Sequence, residues 1–166
     1  MADQLVLKLT TKVQGTIKGE SEQKDHEGEI DLDHFGFGII QPIDMGRGGS
    51  GNATGAAQYQ LATFSKRGDV SSPNLMRAIG TNDAVTEAVI TYLVQAGGGK
   101  IYQTVTLKNA MFASWNQDTH DQGEPTESFA LSYSEIELIH YAQDTDSADL
   151  QGQNRVALSV KSKSET

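Results

Sequence analysis

The run Val85-Thr86-Glu87-Ala88-Val89-Ile90-Thr91-Tyr92-Leu93-Val94 is followed closely by Ala96-Gly97-Gly98-Gly99 and then by Ile101-Tyr102-Gln103-Thr104-Val105-Thr106-Leu107-Lys108-Asn109. Two long runs rich in β-branched and aromatic residues around a glycine cluster read as a β-hairpin. In the second run Ile101, Val105 and Leu107 share one face, while Tyr102, Thr104, Thr106 and Lys108 take the other. Alternation of this kind marks a strand with one buried face. The same period recurs on both sides. Leu5, Leu7 and Leu9 carry it near the start, and Phe129, Leu131 and Tyr133 carry it between Ala130, Ser132 and Ser134. Ile136 and Leu138 continue it, and Val156, Leu158 and Val160 repeat it near the end. The strands are too many and too evenly spaced for a βαβ plan, so the pattern predicts a mainly β, antiparallel fold.

One short helix is signalled, over about residues 73–79. Ser72 suits the N-cap, Pro73 the first helical position and Gly80 the C′ position. Leu75 and Ile79 are four apart and share a face. Two segments are expected to lack regular structure: the glycine-rich loop from Met45 to Ala57, and the polar, acidic stretch from Asp144 to Asn154. No internal repeat or interdomain linker stands out, and 166 residues suit a single domain.

Apolar residues make up 37% of the chain. Leu, Ile, Val and Phe alone are roughly 22%, just above the level of about 20% below which disorder becomes the default. The core must therefore be lean. The formal net charge of -9 opposes binding to nucleic acid or to an anionic membrane surface. No apolar stretch is long enough to insert into a membrane. From Asn109 to Asn154 there is no Lys or Arg, while Asp118, Asp121, Glu124, Glu127, Glu135, Glu137, Asp144, Asp146 and Asp149 all fall there. With no cysteine, disulfides, thiolate metal sites and Cys nucleophiles are excluded. The start, Met-Ala-Asp-Gln-Leu-Val-Leu-Lys-Leu, has no basic n-region and no long apolar run, so no cleavable signal peptide is expected.

The motifs that would carry chemistry fall short. Gly46-Arg47-Gly48-Gly49-Ser50-Gly51 matches G-x-G-x-x-G, but no helical pattern follows it to face a pyrophosphate. His26-Glu27-Gly28-Glu29-Ile30 lacks the second histidine of a zinc helix, and His34, His120 and His140 add no ligand spacing. The stretch from Asp144 has Asp149 and Arg155 where a calcium loop needs Gly and Glu. There is no serine elbow, and the carboxylates lie in polar runs that read as a solvated face. These residues point to no catalytic, metal or cofactor site.

Ordered short motifs do point to a family. Gly19-Glu20-Ser21, His26 and Ile30-Asp31-Leu32 come first; Phe64-Ser65-Lys66, Asp69 and Ser71-Ser72-Pro73-Asn74-Leu75 follow. Leu107-Lys108-Asn109 is third, and Glu127-Ser128-Phe129-Ala130-Leu131-Ser132-Tyr133 with Ile136 and Tyr141 is last. The set, spanning roughly residues 5 to 141, resembles the haemolysin-coregulated protein family, the tube proteins of type VI secretion. Residues 142 to 166 match poorly beyond the closing strand.

The resemblance implies two packed β-sheets in a small barrel-like sandwich with one helix. It implies hexameric rings that stack into a tube inside a contractile sheath, with a spike protein at the tip and small effectors in the ring lumen. It implies a protein assembled in the cytoplasm and then secreted. Some members of the family carry an effector domain after the tube module; none is expected in these 166 residues. Within it Gly19, Glu20, Ile30, Asp31, Lys66, Asp69, Ser72, Pro73, Leu75, Glu127, Phe129 and Tyr133 are expected to serve structure rather than catalysis. Met45, Gly46, Arg47, Gly48, Gly49, Ser50, Gly51 and Asn52 are expected to form a ring-stacking loop, since glycine lets backbone mould closely to a neighbour. The acidity between Asn109 and Asn154 leaves two readings open, a face for basic partners such as sheath or effector, and charge for solubility. The alternative from another class is a monomeric β-sandwich that binds a ligand such as a carbohydrate. That reading needs an exposed aromatic platform, for which only Trp115 and scattered tyrosines are available.

Overall fold

A computed structural model describes residues 4–44, 52–53, 55–95, 99–143 and 150–160. In chain order these form β1 (Gln4–Thr11), β2 (Gly15–Ile17), β3 (Ile30–Leu32), β4 (His34–Gly36), β5 (Ile39–Ile40), β6 (Ile43–Asp44), β7 (Asn52–Ala53), β8 (Gln58–Tyr59) and β9 (Ala62–Arg67). The helix α1 (Ser72–Gly80) follows, then β10 (Val85–Val94), β11 (Lys100–Asp118), β12 (Thr126–Ser132), β13 (Glu135–Gln143) and β14 (Leu150–Ser159).

The expected hairpin is β10 and β11, antiparallel from Val85↔Ala110 to Val94↔Lys100. Around it runs the first sheet, ordered β14-β13-β11-β10-β1, with β2 and β3 side by side on the outer edge of β1. The second sheet runs β11-β12-β9-β4. β11 serves both: Gln103–Lys108 pair with β13, and Met111–Asp118 pair with β12. The change of sheet occurs at Asn109, whose φ of 50° is left-handed. Asn is among the few residues that tolerate this region, and the Ser134 hydroxyl holds the bend by donating to the Asn109 carbonyl at 3.1 Å. The register slips again between Phe112 and Ser114, which adds to the turn. The sheets face each other without closing a barrel. Between them lie Leu7, Leu9, Ile30, Phe64, Leu75, Ile90, Val105, Leu107, Phe129 and Leu131.

Six expectations need correction. The helix begins with Ser72 and its N-cap is Ser71, whose side chain makes no capping bond. Gly80 is the last helical residue; Thr81 caps the end and Asn82 takes the left-handed turn at φ 54°. Its buried positions are Leu75 and Ala78, with Ile79 half-buried, because residues three apart also share a helix face. The stem of the glycine-rich excursion is regular: β5 pairs β8 and β6 pairs β7, a two-stranded ribbon apart from both sheets. Met45 to Gly51 and Thr54 lie outside the described residues, as do Asp144 to Asp149. Leu150 to Asn154 belong to a strand, not to a turn. Val156 and Leu158, in phase with a buried face, are exposed.

Candidate functional site

The motif residues meet in two adjacent rows across the second sheet. The first row is polar. Strand register sets Gln117 opposite Glu127 and Glu127 opposite Lys66. The Lys66 and Glu127 side chains are fully buried and bonded to one another through Nζ and Oε2. Asp69 Oδ1 lies 2.9 Å from the same Nζ, and the Arg67 carbonyl accepts from it at 2.9 Å. Gln117 Nε2 donates to the other Glu127 oxygen at 3.1 Å. A buried ammonium is tolerated only when it is paired and hydrogen-bonded, and this one has both kinds of partner.

The same cluster starts the helix. Asp69 Oδ1 accepts from the Ser71 amide at 2.9 Å and from the Ser71 hydroxyl, and Ser72 Oγ accepts from the Asp69 amide at 3.0 Å. Ser72 Oγ also stands 3.4 Å from Lys66 Nζ. Pro73 follows where its missing N–H costs nothing. Three strands and the start of α1 are thereby tied at one buried charge pair. Glu127 thus leaves the solvated acidic face on which the sequence placed it.

The second row is aromatic. Trp115 opposes Phe129, Phe129 opposes Phe64, and Phe64 opposes Phe35. Phe64 and Phe129 stack with centroids 4.6 Å apart and planes 5° apart, and Phe35 tilts onto Phe64 at 5.0 Å. Tyr133 closes the end of this layer. Its hydroxyl donates to the Gln60 carbonyl at 2.9 Å and its ring meets Tyr59 edge-on at 6.3 Å. Burial, reinforced by Tyr59, pushes the Tyr133 phenol up from its ordinary pKa. Trp115 packs on the core with its indole N–H buried, so it offers no exposed platform to a ligand.

Gly19 holds the first motif through close backbone approach. Its N–H donates to Gly28 O at 2.8 Å, and a Cβ there would meet Glu29 O and stand 2.7 Å from Ile30 Cα. Ile30 is fully buried beside it. Gly19→Ala is therefore expected to cost about 1–3 kcal/mol through overpacking against backbone that cannot rotate away. Urea unfolding checks this, and an unchanged midpoint would show that residues 19–30 can move apart.

Asp83 escaped the sequence reading. Its carboxylate accepts from Val13 N at 2.9 Å and Gln14 N at 3.2 Å, which clamps the β1–β2 turn to the chain leaving α1. Burial pushes this carboxyl up, but hydrogen bonds from the Thr11 hydroxyl and from Val13 and Gln14 outweigh it, leaving the pKa below the usual carboxylate value.

On the surface, Glu20 and Asp31 line a cleft of about 540 Å³ with Asp33, Asp69, Glu124 and Arg67. This acidity is gathered from distant segments rather than from residues 109–154 alone. Among the described residues no three His, Asp or Glu come together to hold a metal ion. No described helix is long and apolar enough to cross a membrane. The ribbon stem leaves Ile39, Ile40 and Ile43 exposed, and Gln41 Nε2 braces it on Gly55 O at 2.7 Å. The residues expected to form the stacking loop lie beyond this stem, and apart from Asn52 in β7 they fall outside the described residues.

Comparison with known proteins places this architecture. Residues 7–140 match the family described as the type VI secretion system effector Hcp. Protein hcp1 of Pseudomonas aeruginosa is 31% identical over 136 residues, spanning 81% of this chain and 83% of that protein. A solved structure of a type six secretion system protein superposes with a TM-score of 0.85 at 21% identity, covering 95% of each chain. A doubly substituted Hcp1 from E. coli EAEC 042 superposes with a TM-score of 0.74 at 23% identity, covering 95% of this chain and 98% of that one. Fold and sequence together define a β-sandwich protein of the type VI secretion tube class. The chain belongs to the Hcp family.

Proposed function

We propose that this chain is the repeating subunit of a type VI secretion inner tube. Six copies close a ring, rings stack, and the tube is exported with small effectors in its lumen, inside sheath proteins and behind a spike protein. It is assembled in the cytoplasm and then secreted. Its mechanism is assembly rather than catalysis. The observation that carries this reading is the family match across residues 7–140. Two features of the protomer support it: a ribbon whose Ile39, Ile40 and Ile43 stand exposed, and a fully buried Lys66–Glu127 pair whose groups bind one another. A closed ring needs two different patches that meet around the axis, and a projecting ribbon suits contact along the axis.

The ribbon is assigned to stacking. Deleting Gly46 to Gly55 is expected to leave rings of six copies in light scattering while abolishing tube formation and secretion. Normal secretion of the deleted protein would refute that assignment.

A further inference from the structure

The sulfur described in this chain sits on its surface. There is no cysteine, and the described core contains no methionine. The two described methionines, Met76 on α1 and Met111 on β11, are 59% and 43% exposed. Methionine ordinarily fills irregular gaps inside a core. Here both thioethers face water instead.

Met111 has a particular neighbourhood. It lies opposite Ser132, and directly paired residues share a face of the sheet. Leu131 and Ala62, paired on the next row, are fully buried, so Ser132 and Leu61 beside them take the outer face. Leu61 is exposed like Met111, and the short Ser132 side chain stands between the two. Gln60, just before Leu61, roots the ribbon. Its amide donates to the Gly38 carbonyl at 2.9 Å, and its own carbonyl accepts from the Tyr133 hydroxyl at 2.9 Å. From that root β5 and β6 carry Ile39, Ile40 and Ile43, all exposed. Met111 is thus the sheet-borne end of an apolar string whose other end is the ribbon.

We propose that Met111 is a site of oxidation by hydrogen peroxide, and that its sulfoxide keeps rings from stacking. The assignment rests on the stacking reading of the ribbon above. A sulfur lone pair attacks one peroxide oxygen as the O–O bond breaks. The S=O bond forms, sulfur gives up two electrons, and the proton on the transferred oxygen passes to the departing hydroxide, which leaves as water. A flexible apolar side chain becomes a polar one. In a free ring the sulfoxide is hydrated. In a stack it would have to give up that water against the apolar surface of a second copy, and burying a polar group without a partner is unfavourable. Stacking covers the thioether, so oxidation acts before assembly and not after it.

The test uses the full chain as wild type, Met111→Leu and Met76→Leu, each with and without hydrogen peroxide. Light scattering reads ring mass, pelleting reads tube yield, circular dichroism reads folding, and peptide mass mapping reads added oxygen. Each treated sample is compared with its own untreated one. Peroxide is expected to lower the tube yield of wild type and Met76→Leu by about tenfold or more, and that of Met111→Leu by less than about twofold. Ring mass and spectrum are expected to stay unchanged. Mapping is expected to find Met111 oxidised in free rings and spared in tubes, which decides the matter even if Met111→Leu stacks poorly. An equal fall in Met111→Leu, no fall in fully oxidised wild type, or equal oxidation of Met111 in rings and tubes overturns the Met111 assignment and leaves the tube reading standing. Untreated wild type that forms rings but never tubes overturns the stacking reading and this one with it. Untreated wild type that forms neither overturns the tube reading itself.

Discussion

Lys66→Met is expected to lower folding stability by about 3–5 kcal/mol, the cost of leaving a buried charge without its partner. Methionine fills the same volume, so little of the loss comes from packing. What remains is the Glu127 carboxylate, fully buried and, among the described residues, held by the Gln117 amide, with Asp69 facing a thioether where an ammonium stood. The helix start loses its anchor too, since the Lys66 ammonium bridges the sheet to Asp69 and Ser72. Adding Glu127→Gln should recover part of the loss, because the second change removes the charge that the first one stranded. Urea unfolding of the two single variants and the double variant, at one protein concentration, measures the coupling. Strictly additive losses, or a Lys66→Met cost within the range of a surface change, would show that the cluster is not a unit.

Phe129→Ala is expected to cost about 3–5 kcal/mol, the range for deleting a buried aromatic ring. The ring sits between Phe64, stacked at 4.6 Å, and Phe112 at 5.9 Å. Both neighbours belong to other strands, β9 and β11, so the cavity opens where three strands meet and cannot collapse by one side chain turning. Phe129→Leu keeps much of the volume and should lose less than half as much, as volume-conserving changes do. A thermal melt separates the two variants. Equal melting points would mean that apolar volume at this position contributes nothing beyond the lost aromatic ring.

Where pattern and packing agree, the fold was legible. The hairpin of β10 and β11 follows from two apolar-rich runs around a glycine cluster, and burial of Leu7, Leu9, Phe129, Leu131 and Tyr133 follows from their alternation. The charge cluster left a trace that is clear once seen. Ala62, Phe64 and Lys66 alternate inward on β9, as do Glu127, Phe129 and Leu131 on β12. A lysine and a glutamate in apolar phase are a signal for a buried pair. That they are partners is a matter of register, because 61 residues separate them along the chain. Gln117 and Asp83 left no comparable signal: Gln117 lies on an exposed strand end, and Asp83 acts through the backbone of a turn remote in sequence.

The sequence by itself determined the strand-rich architecture, the helix after Ser71 and the family, since each depends on local periodicity, caps and short ordered motifs. Tertiary structure alone decided that β11 serves two sheets by bending at Asn109, that Lys66 finds Glu127, and that Val156 and Leu158 stand uncovered. The physical reason is the same in all three. A two-residue period says which side of a strand is apolar, but what covers that side is set by where distant strands come to lie.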